Sequence, residues 1–464
     1  MSGNSLFPGG IHPKEGSNGK RLTATLPVEK IDAPARVVIP LSQHIGKPAR
    51  CVVKKGEHVK IGQLIGEADG LISASVHSSV SGKVVSIGQC LLPNGLLSEA
   101  VIIDNDFEDK WIDLNPPENP EKLSREELCR YIREAGIVGM GGAAFPTAVK
   151  LSPPEGTKIK ALIVNGVECE PYLSADHRLM LENTKDIIDG IELALIALGI
   201  EKAIIGVENN KTDAAEALRR AVETNHIVVE KSHRRTIREL PVRYPQGSEK
   251  QLIYALTRKR VPNGALPASI GYVVCNVGTM AAVSRALRQG KPLIERIVTV
   301  AGMFEKPGNY RVRIGTPLEV LMEAAGGIKK EARQLIYGGP MMGTAISRSD
   351  IPVMKGCSGL VALETICMER HESQCIRCGR CVRVCPMQLM PTLLDQYMRV
   401  NDFEAAKRIG AVNCIECGSC AYACPAKRSL VQSIRVAKRA ISDMAAKEKA
   451  RVEKEKQELE QKGE

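Results

Sequence analysis

From Pro34 to about Gly88, apolar and polar positions alternate in short runs broken by glycine, as in ARCVVKKGEHVKIGQLIGEADG and SASVHSSVSGKVVSIG. A period of two with glycine turns predicts a run of hairpins whose strands each turn one face inward. Beyond residue 115 the pattern changes. NPPENPEKLS reads as a linker, and Ser124 with Glu127 three residues later forms a capping box that opens the helix REELCRYIREAG. There follow strand KIKALIVNGV, a helix around NTKDIIDGIELALIALG, strand KAIIGVEN, helix KTDAAEALRRAVE and strand HIVVEK. This alternation predicts an α/β unit on a mostly parallel, Rossmann-like sheet. Near Arg296 the order becomes strand RIVTVAGMF, turn EKPGN, strand YRVRIG, helix PLEVLMEAAGG and strand QLIYGGP, which suggests a small β-grasp module.

The remaining stretch repeats itself. CIRCGRCVRVCP begins at 375 and CIECGSCAYACP at 414, and the segment between them reads as helical, with Leu, Met and Ala spaced at three and four. After the second motif Leu430, Val431, Ile434, Ala437 and Ile441 form an apolar stripe with basic residues opposite. The final AAKEKARVEKEKQELEQKGE alternates in charge and is expected to be a frayed helix or a disordered tail.

Composition narrows the function. The 464 residues exceed what one ordinary core accommodates. Aromatics at 3% are too few for a platform on which single-stranded bases stack, so nucleic acid is not expected as a partner. The net charge of +11 is weighted late, where Lys427, Arg428, Arg435, Lys438 and Arg439 carry no acid between them, a pattern suited to an acidic partner or anionic membrane surface as well as to a solvated face. The longest apolar-looking run, Ile187 to Ile200, is broken by Asp189, Gly190 and Glu192, so it reads as a buried helix and not a membrane span. The start, MSGNSLFPGGIHPKEG, has no charged-then-apolar signal pattern, and the chain is expected to stay in the cytoplasm. There, fifteen cysteines are expected to be ligands or reduced thiols and not disulfides.

Each cysteine motif has the form Cys-x2-Cys-x2-Cys-x3-Cys-Pro, in which three thiolates wrap one iron-sulfur cube and the fourth crosses to its neighbour. Cys375, Cys378, Cys381 and Cys424 are therefore expected to hold one [4Fe-4S] cluster, and Cys414, Cys417, Cys420 and Cys385 the other. Two zinc sites are the alternative, but zinc has no use for the crossing Cys-Pro. Cys51, Cys90 and Cys129 fall in strand or helix patterns as small apolar residues, and Cys367 is not needed as a ligand.

Two loops remain. GIVGMGGAAFPTAVKL places Gly139, Gly141 and Gly142 after a helix and ends with Lys150; such a loop lets backbone approach a phosphate or a flat ring, although tight turns use glycine too. VNGVECEPY then delivers Asn165, Glu168 and Glu170 at a strand end, where open α/β sheets bind ligands. Together, GMGGAAFPTAVK and NGVECEP resemble the motifs of the flavin-binding subunit of respiratory complex I. CNVGTMAAV and YPQGSEKQL resemble two further loops of that site. The hairpin region resembles lipoyl and biotinyl carrier domains, although Glu67-Ala68-Asp69-Gly70 stands where the carrier lysine would be. With FPGGIHP at Phe7, the whole order is similar to the C subunit of Rnf-type electron-transport complexes.

The resemblance implies a multidomain chain. A barrel-sandwich domain would occupy 1–110, an FMN- and NADH-binding α/β domain 122–290 and an SLBB-like β-grasp domain 295–350. A helical ferredoxin domain with two clusters would occupy 365–430, with a charged tail at 431–464. It implies that Gly139, Gly141, Gly142, Lys150, Asn165, Glu168, Asn276 and Thr279 contact FMN, while Phe145, Glu170 and Glu249 face the nicotinamide nucleotide. Val167 stands where the complex I pattern is acidic, and Cys275-Asn276 where it has two asparagines. NADH surrenders two electrons as hydride and a cluster takes one, so a flavin belongs between them. Membrane-embedded partner subunits, ferredoxin as distal donor or acceptor, and a place on the cytoplasmic face of the membrane follow from the same resemblance. A soluble flavin and iron-sulfur reductase of the cobalamin-reductase type and a flavin-free electron-wire scaffold are the competing readings.

Overall fold

A computed structural model describes residues 7–14, 19–224, 235–364 and 372–462. The expected strand HIVVEK and Cys367 both lie outside the described residues. The hairpin region folds into two small antiparallel sheets. One has the order Arg36–Pro40, Leu97–Asn105, Gly82–Leu91, His58–Val59, and the other Arg50–Cys51, Leu64–Glu67, Val76–His77. Alternation sends Val37, Ile39, Val59, Ile65, Val84, Val101 and Ile103 into a shared core. Gly70, at the tip that lacks a carrier lysine, has its carbonyl held by Arg133 at 2.7 Å, so this tip is pinned to the next domain.

The α/β domain opens as expected, with Ser124 and Glu127 exchanging both bonds of a capping box at helix Arg125–Glu134. Its sheet is wholly parallel, in the order Arg235–Leu240, Ala203–Glu208, Ala161–Gly166, Tyr272–Asn276. The first strand in sequence therefore lies between the second and the fourth. Strand order reverses across the gap between Ala161–Gly166 and Tyr272–Asn276, where a doubly wound sheet leaves its crevice. Helices Arg125–Glu134, Thr184–Leu198 and Val277–Gln289 cover one face over Leu162, Val164, Val273 and Cys275. Helix Glu249–Thr257 covers the other over Ile163 and Val274.

The β-grasp sheet is larger than its expected span. Glu295–Gly302 pairs antiparallel with Gly308–Arg313 and parallel with Gly359–Leu363, which lies beyond 350 and at the centre of the sheet. Val28–Lys30, from the N-terminal stretch, pairs along the opposite edge. A central strand is buried on both faces and must be apolar throughout, and LVAL meets that need from outside 295–350.

Described residues from 372 onward contain helices and no strands. Leu430–Lys462 is one helix, and its first turns are not a tail: Leu430, Ile434, Ala437 and Ile441 are buried against the cysteine module. The basic residues around it are mostly engaged internally. Arg428 pairs with buried Asp395, which also accepts from Ser433 at 2.6 Å, and Arg435 and Lys438 both pair with Glu416. The docking face expected from these charges is thus reduced to Lys427 and Arg439.

Candidate functional site

The glycine-rich loop folds back over the crevice of the parallel sheet. Gly139 donates to the carbonyl of Phe145 at 2.8 Å, closing a tight loop, and Met140 donates to Thr279 Oγ1 at 3.0 Å. Asn276 caps helix Val277–Gln289 by accepting from the Gly278 amide at 2.8 Å. A Cβ on Gly141 would sit 3.2 Å from that of Asn276, so glycine lets the loop lie close without crowding that side chain. Gly142, at φ +131, faces open space. Gly139, Gly141, Gly142, Asn276 and Thr279 therefore form one bare backbone ledge above the sheet switch point. Thr147, three residues past Ala144, has a buried hydroxyl oxygen without a partner.

Lys150 and Glu249 meet directly, at 2.8 Å, and Lys150 also donates to the Val274 carbonyl at 2.8 Å. Burial works against the Lys150 charge, and the Glu249 carboxylate with the nearby Cys275 more than offsets it, so its pKa is raised. Asn165 spans the strand end, accepting from Val167 at 3.0 Å and donating to the Gly247 carbonyl at 2.8 Å, which ties the YPQGSEK loop to the site. Phe145 is half-buried beside the ledge.

The two remaining acids are held by backbone amides of neighbouring elements. Glu168 accepts from the Asp176 and His177 amides at 2.9 and 3.3 Å, serving the start of helix Ala175–Glu182. Burial and the neighbouring Asp176 carboxyl raise its pKa. Asp176 in turn accepts from Asn276 at 2.7 Å. Glu170 accepts from Met341 and Met342 amides at 3.1 and 2.9 Å, in the β-grasp loop, and burial pushes its carboxyl up to about 7. Beside it the enclosed Tyr244 donates to the Cys417 carbonyl at 2.6 Å. Sequence reasoning misses Tyr244 as a functional residue; its place at the head of YPQGSEKQL is the one signal that marks it.

Seven of the eight motif thiols fall into two groups. Cys385, Cys414, Cys417 and Cys420 line one small cavity with Pro386, Leu389, Gly418 and Ile434. Cys381 has Cys424 and Cys375 as neighbours. Among the described residues no three Cys, His, Asp or Glu side chains converge at single-ion spacing. Cys385, Cys414, Cys417 and Cys420 surround a hollow, as a cube requires. Cys385 comes from the first motif and lines the second motif's cavity.

The cavity group is the one packed against the other domains. Gly9 and Gly10 pack on Cys385 and Val384, Gln251 donates to the Pro386 carbonyl at 3.4 Å, and Gly418 packs on the Met341 carbonyl. The other group faces outward: Ile376 and Arg377 beside it are exposed, as is Arg383.

Comparison with known proteins follows this layout. The RnfC barrel sandwich hybrid domain matches residues 5–108, the Nuo51 FMN-binding domain 132–285, the SLBB domain 297–345 and the 4Fe-4S dicluster domain 374–428. The C subunit of the proton-translocating ferredoxin:NAD(+) oxidoreductase complex of Clostridium ljungdahlii is 46% identical over 96% of both chains. The chain belongs to the RnfC family of ion-translocating oxidoreductase complexes. Other members include the C subunit of the Na(+)-translocating complex of Acetobacterium woodii, 44% identical over 94% of this chain and 97% of that one. The corresponding subunit of the Rhodobacter capsulatus ion-translocating complex is 43% identical over 94% of this chain and 83% of its own. The fold alone is shared with a chain of an NAD+-reducing [NiFe]-hydrogenase in the H2-reduced state. That chain has TM-score 0.50 and 19% identity, and the match covers 70% of this chain and 65% of that one. Among the described residues of this RnfC family member no helix is long and apolar enough to cross a membrane. The bare ledge, the unpartnered Thr147 hydroxyl and the thiol-lined hollow are the surroundings that a flavin and a cluster need.

Proposed function

We propose that this RnfC family member is the peripheral electron-transfer arm of an ion-translocating ferredoxin:NAD+ oxidoreductase. It exchanges hydride with NAD(H) in the α/β domain and passes single electrons through two [4Fe-4S] clusters. The observation that carries the reading is the Tyr244 hydroxyl on the Cys417 carbonyl, which joins a loop of the flavin-type site to the cavity of one thiol group.

FMN, when bound, supplies the conversion between hydride and single electrons. Gly139, Gly141 and Gly142 offer it backbone without side chains, and Asn165, Asn276 and Thr279 fix the ledge beneath. Lys150 provides the positive charge for its phosphate, with Glu249 holding the ammonium in place. Phe145, Glu249 and Glu170 form the nucleotide side, where Glu170 also ties the strand end to the β-grasp loop. Glu168 supports the site from behind by holding helix Ala175–Glu182. Cys385, Cys414, Cys417 and Cys420 hold the cluster nearer the flavin. Cys375, Cys378, Cys381 and Cys424 hold the outer one, whose exposed arginines suit an acidic one-electron partner such as ferredoxin or a partner subunit. Ion movement is the work of membrane-embedded subunits of the same complex, against whose cytoplasmic side this chain sits.

NADH added anaerobically to the FMN-loaded protein should bleach the visible iron-sulfur absorption. Absence of bleaching with all groups present would leave only an electron-wire scaffold. Detergent extraction should bring hydrophobic subunits with the chain; isolation as a lone enzyme would favour a soluble reductase.

A further inference from the structure

The glycine-rich loop is held from behind by a residue of another domain. Lys355 is 1% exposed, and its Nζ donates to two carbonyls, that of Gly136 at 2.8 Å and that of Ser75 at 2.6 Å. Gly136 opens the loop and Ser75 belongs to the barrel-sandwich domain. The Lys355 amide donates to Gln43 Oε1 at 3.0 Å, again in the barrel-sandwich domain. Its carbonyl accepts from Arg296, whose other terminal nitrogen reaches the Met140 carbonyl at 3.5 Å. The next residue, Gly356, lies against the loop's tip: a Cβ there would sit 3.2 Å from the Gly142 carbonyl and 3.5 Å from Ala144 Cβ.

Lys355, Gly356 and Arg296 thus touch the loop at its beginning, tip and middle. Gly136 must be glycine, with φ +64 and a Cβ position that would lie 2.8 Å from the Lys355 ammonium and press on the Ser75 carbonyl. Among the described residues no carboxylate is a hydrogen-bonding partner of Lys355 Nζ, so its bonds are spent on backbone position and not on charge neutralisation. Methionine in its place would leave two buried carbonyls without a donor, and the loop would relax to satisfy them.

We propose that Lys355, seconded by Arg296 and Gly356, is a positioning residue for the FMN ledge. It makes flavin binding depend on the docking of the barrel-sandwich and β-grasp domains. The proposal rests on the flavin reading of the loop. It adds that the ledge is shaped from outside the α/β domain, by a lysine 219 positions from the loop's first glycine.

The test uses the full chain with its clusters reconstituted anaerobically and FMN removed, titrated with FMN while free-flavin fluorescence is followed. Lys355→Met should weaken FMN binding about tenfold or more, with iron, sulfide and both cluster spectra retained. Gly356→Ala, which keeps every hydrogen bond of Lys355 and presses only on the tip, should change the visible spectrum and midpoint potential of bound FMN with a smaller loss of affinity. It also serves if the Met variant fails to fold. FMN affinity within about twofold of the parent, with unchanged flavin spectrum and potential, in the variants that fold would overturn the clamp. A parent chain that binds no FMN would instead overturn the flavin reading on which the clamp rests.

Discussion

Among single residues, Lys355 shows how a buried cation makes itself measurable. Burial lowers its pKa to about 7, and the Lys355 charge in turn helps burial to lower His44 and to bring His77 to about 3. Arg296 is the other charged group at this junction. A free lysine titrates near about 10.4, so between about pH 7 and 10.4 the unfolded chain holds a proton that the folded chain does not. Stability therefore rises with pH across that window and is lost as pH falls back toward about 7. Denaturant unfolding under argon at several pH values should show this rise in the parent and a flatter profile in Lys355→Met; parallel profiles would refute it. Nothing around MKGC marks this lysine in the sequence, because its partners are backbone carbonyls 219 and 280 residues away. Glu168 and Glu170 are visible in the sequence by their place at a strand end. Their turning toward the Asp176 and Met341 amides depends on neighbours that no local pattern describes.

The pair Lys150 and Glu249 offers another outcome of this kind. Glu249→Gln should weaken FMN binding through the loss of the partner that orients Lys150, and it should slow NADH oxidation, while both cluster signals remain. Flavin content and turnover unchanged from the parent would remove Glu249 from the site.

Among the elements, the cysteine module shows what local spacing can and cannot carry. Cys-x2-Cys-x2-Cys-x3-Cys-Pro is a complete local statement, so the grouping of Cys385 with Cys414, Cys417 and Cys420 around one cavity is legible before any fold. The role of helix Leu430–Lys462 is only partly so. Its apolar stripe is visible, but that Arg428 and Arg435 face inward depends on Asp395 and Glu416, which precede them by 33 and 19 residues. Asp395 is 1% exposed and holds Arg428, Arg399 and Ser433 together. Asp395→Ala leaves Arg428 without its buried partner and should cost about 3 kcal/mol of stability, with early loss of the cluster beside Cys375. Urea unfolding with the iron-sulfur absorption followed would check this; an unshifted midpoint would contradict it.

The seam between domains joins elements in the same way. Tyr244→Phe removes the bond to the Cys417 carbonyl without changing the ring. FMN and both clusters should stay, and the rate at which NADH reduces the clusters should fall several-fold in stopped-flow absorbance. An unaltered rate would mean that the bond does not set the approach of the two redox domains.

Across the whole molecule, four domains converge on one ledge and one thiol-lined cavity. Val28–Lys30 and Gly359–Leu363 stitch the β-grasp sheet together from either side of the expected 295–350 span. Neither strand can be placed by periodicity, since pairing in a sheet is non-local and a short strand carries no signal of its partner. Domain order and the two redox chemistries are legible because each rests on contiguous motifs. The contacts by which Lys355, Arg296, Tyr244 and Glu170 knit those domains are not, because every one of them spans domains.

Everything at the larger scales depends on one chain joining an NADH-accessible flavin to two iron-sulfur cubes. The decisive measurement quantifies iron, acid-labile sulfide and FMN in anaerobically reconstituted protein and then titrates the same sample with NADH. About eight irons and eight sulfides per chain are expected with one FMN, and cluster bleaching by NADH that disappears when FMN is withheld. Zinc in place of iron, or full bleaching without flavin, would contradict it.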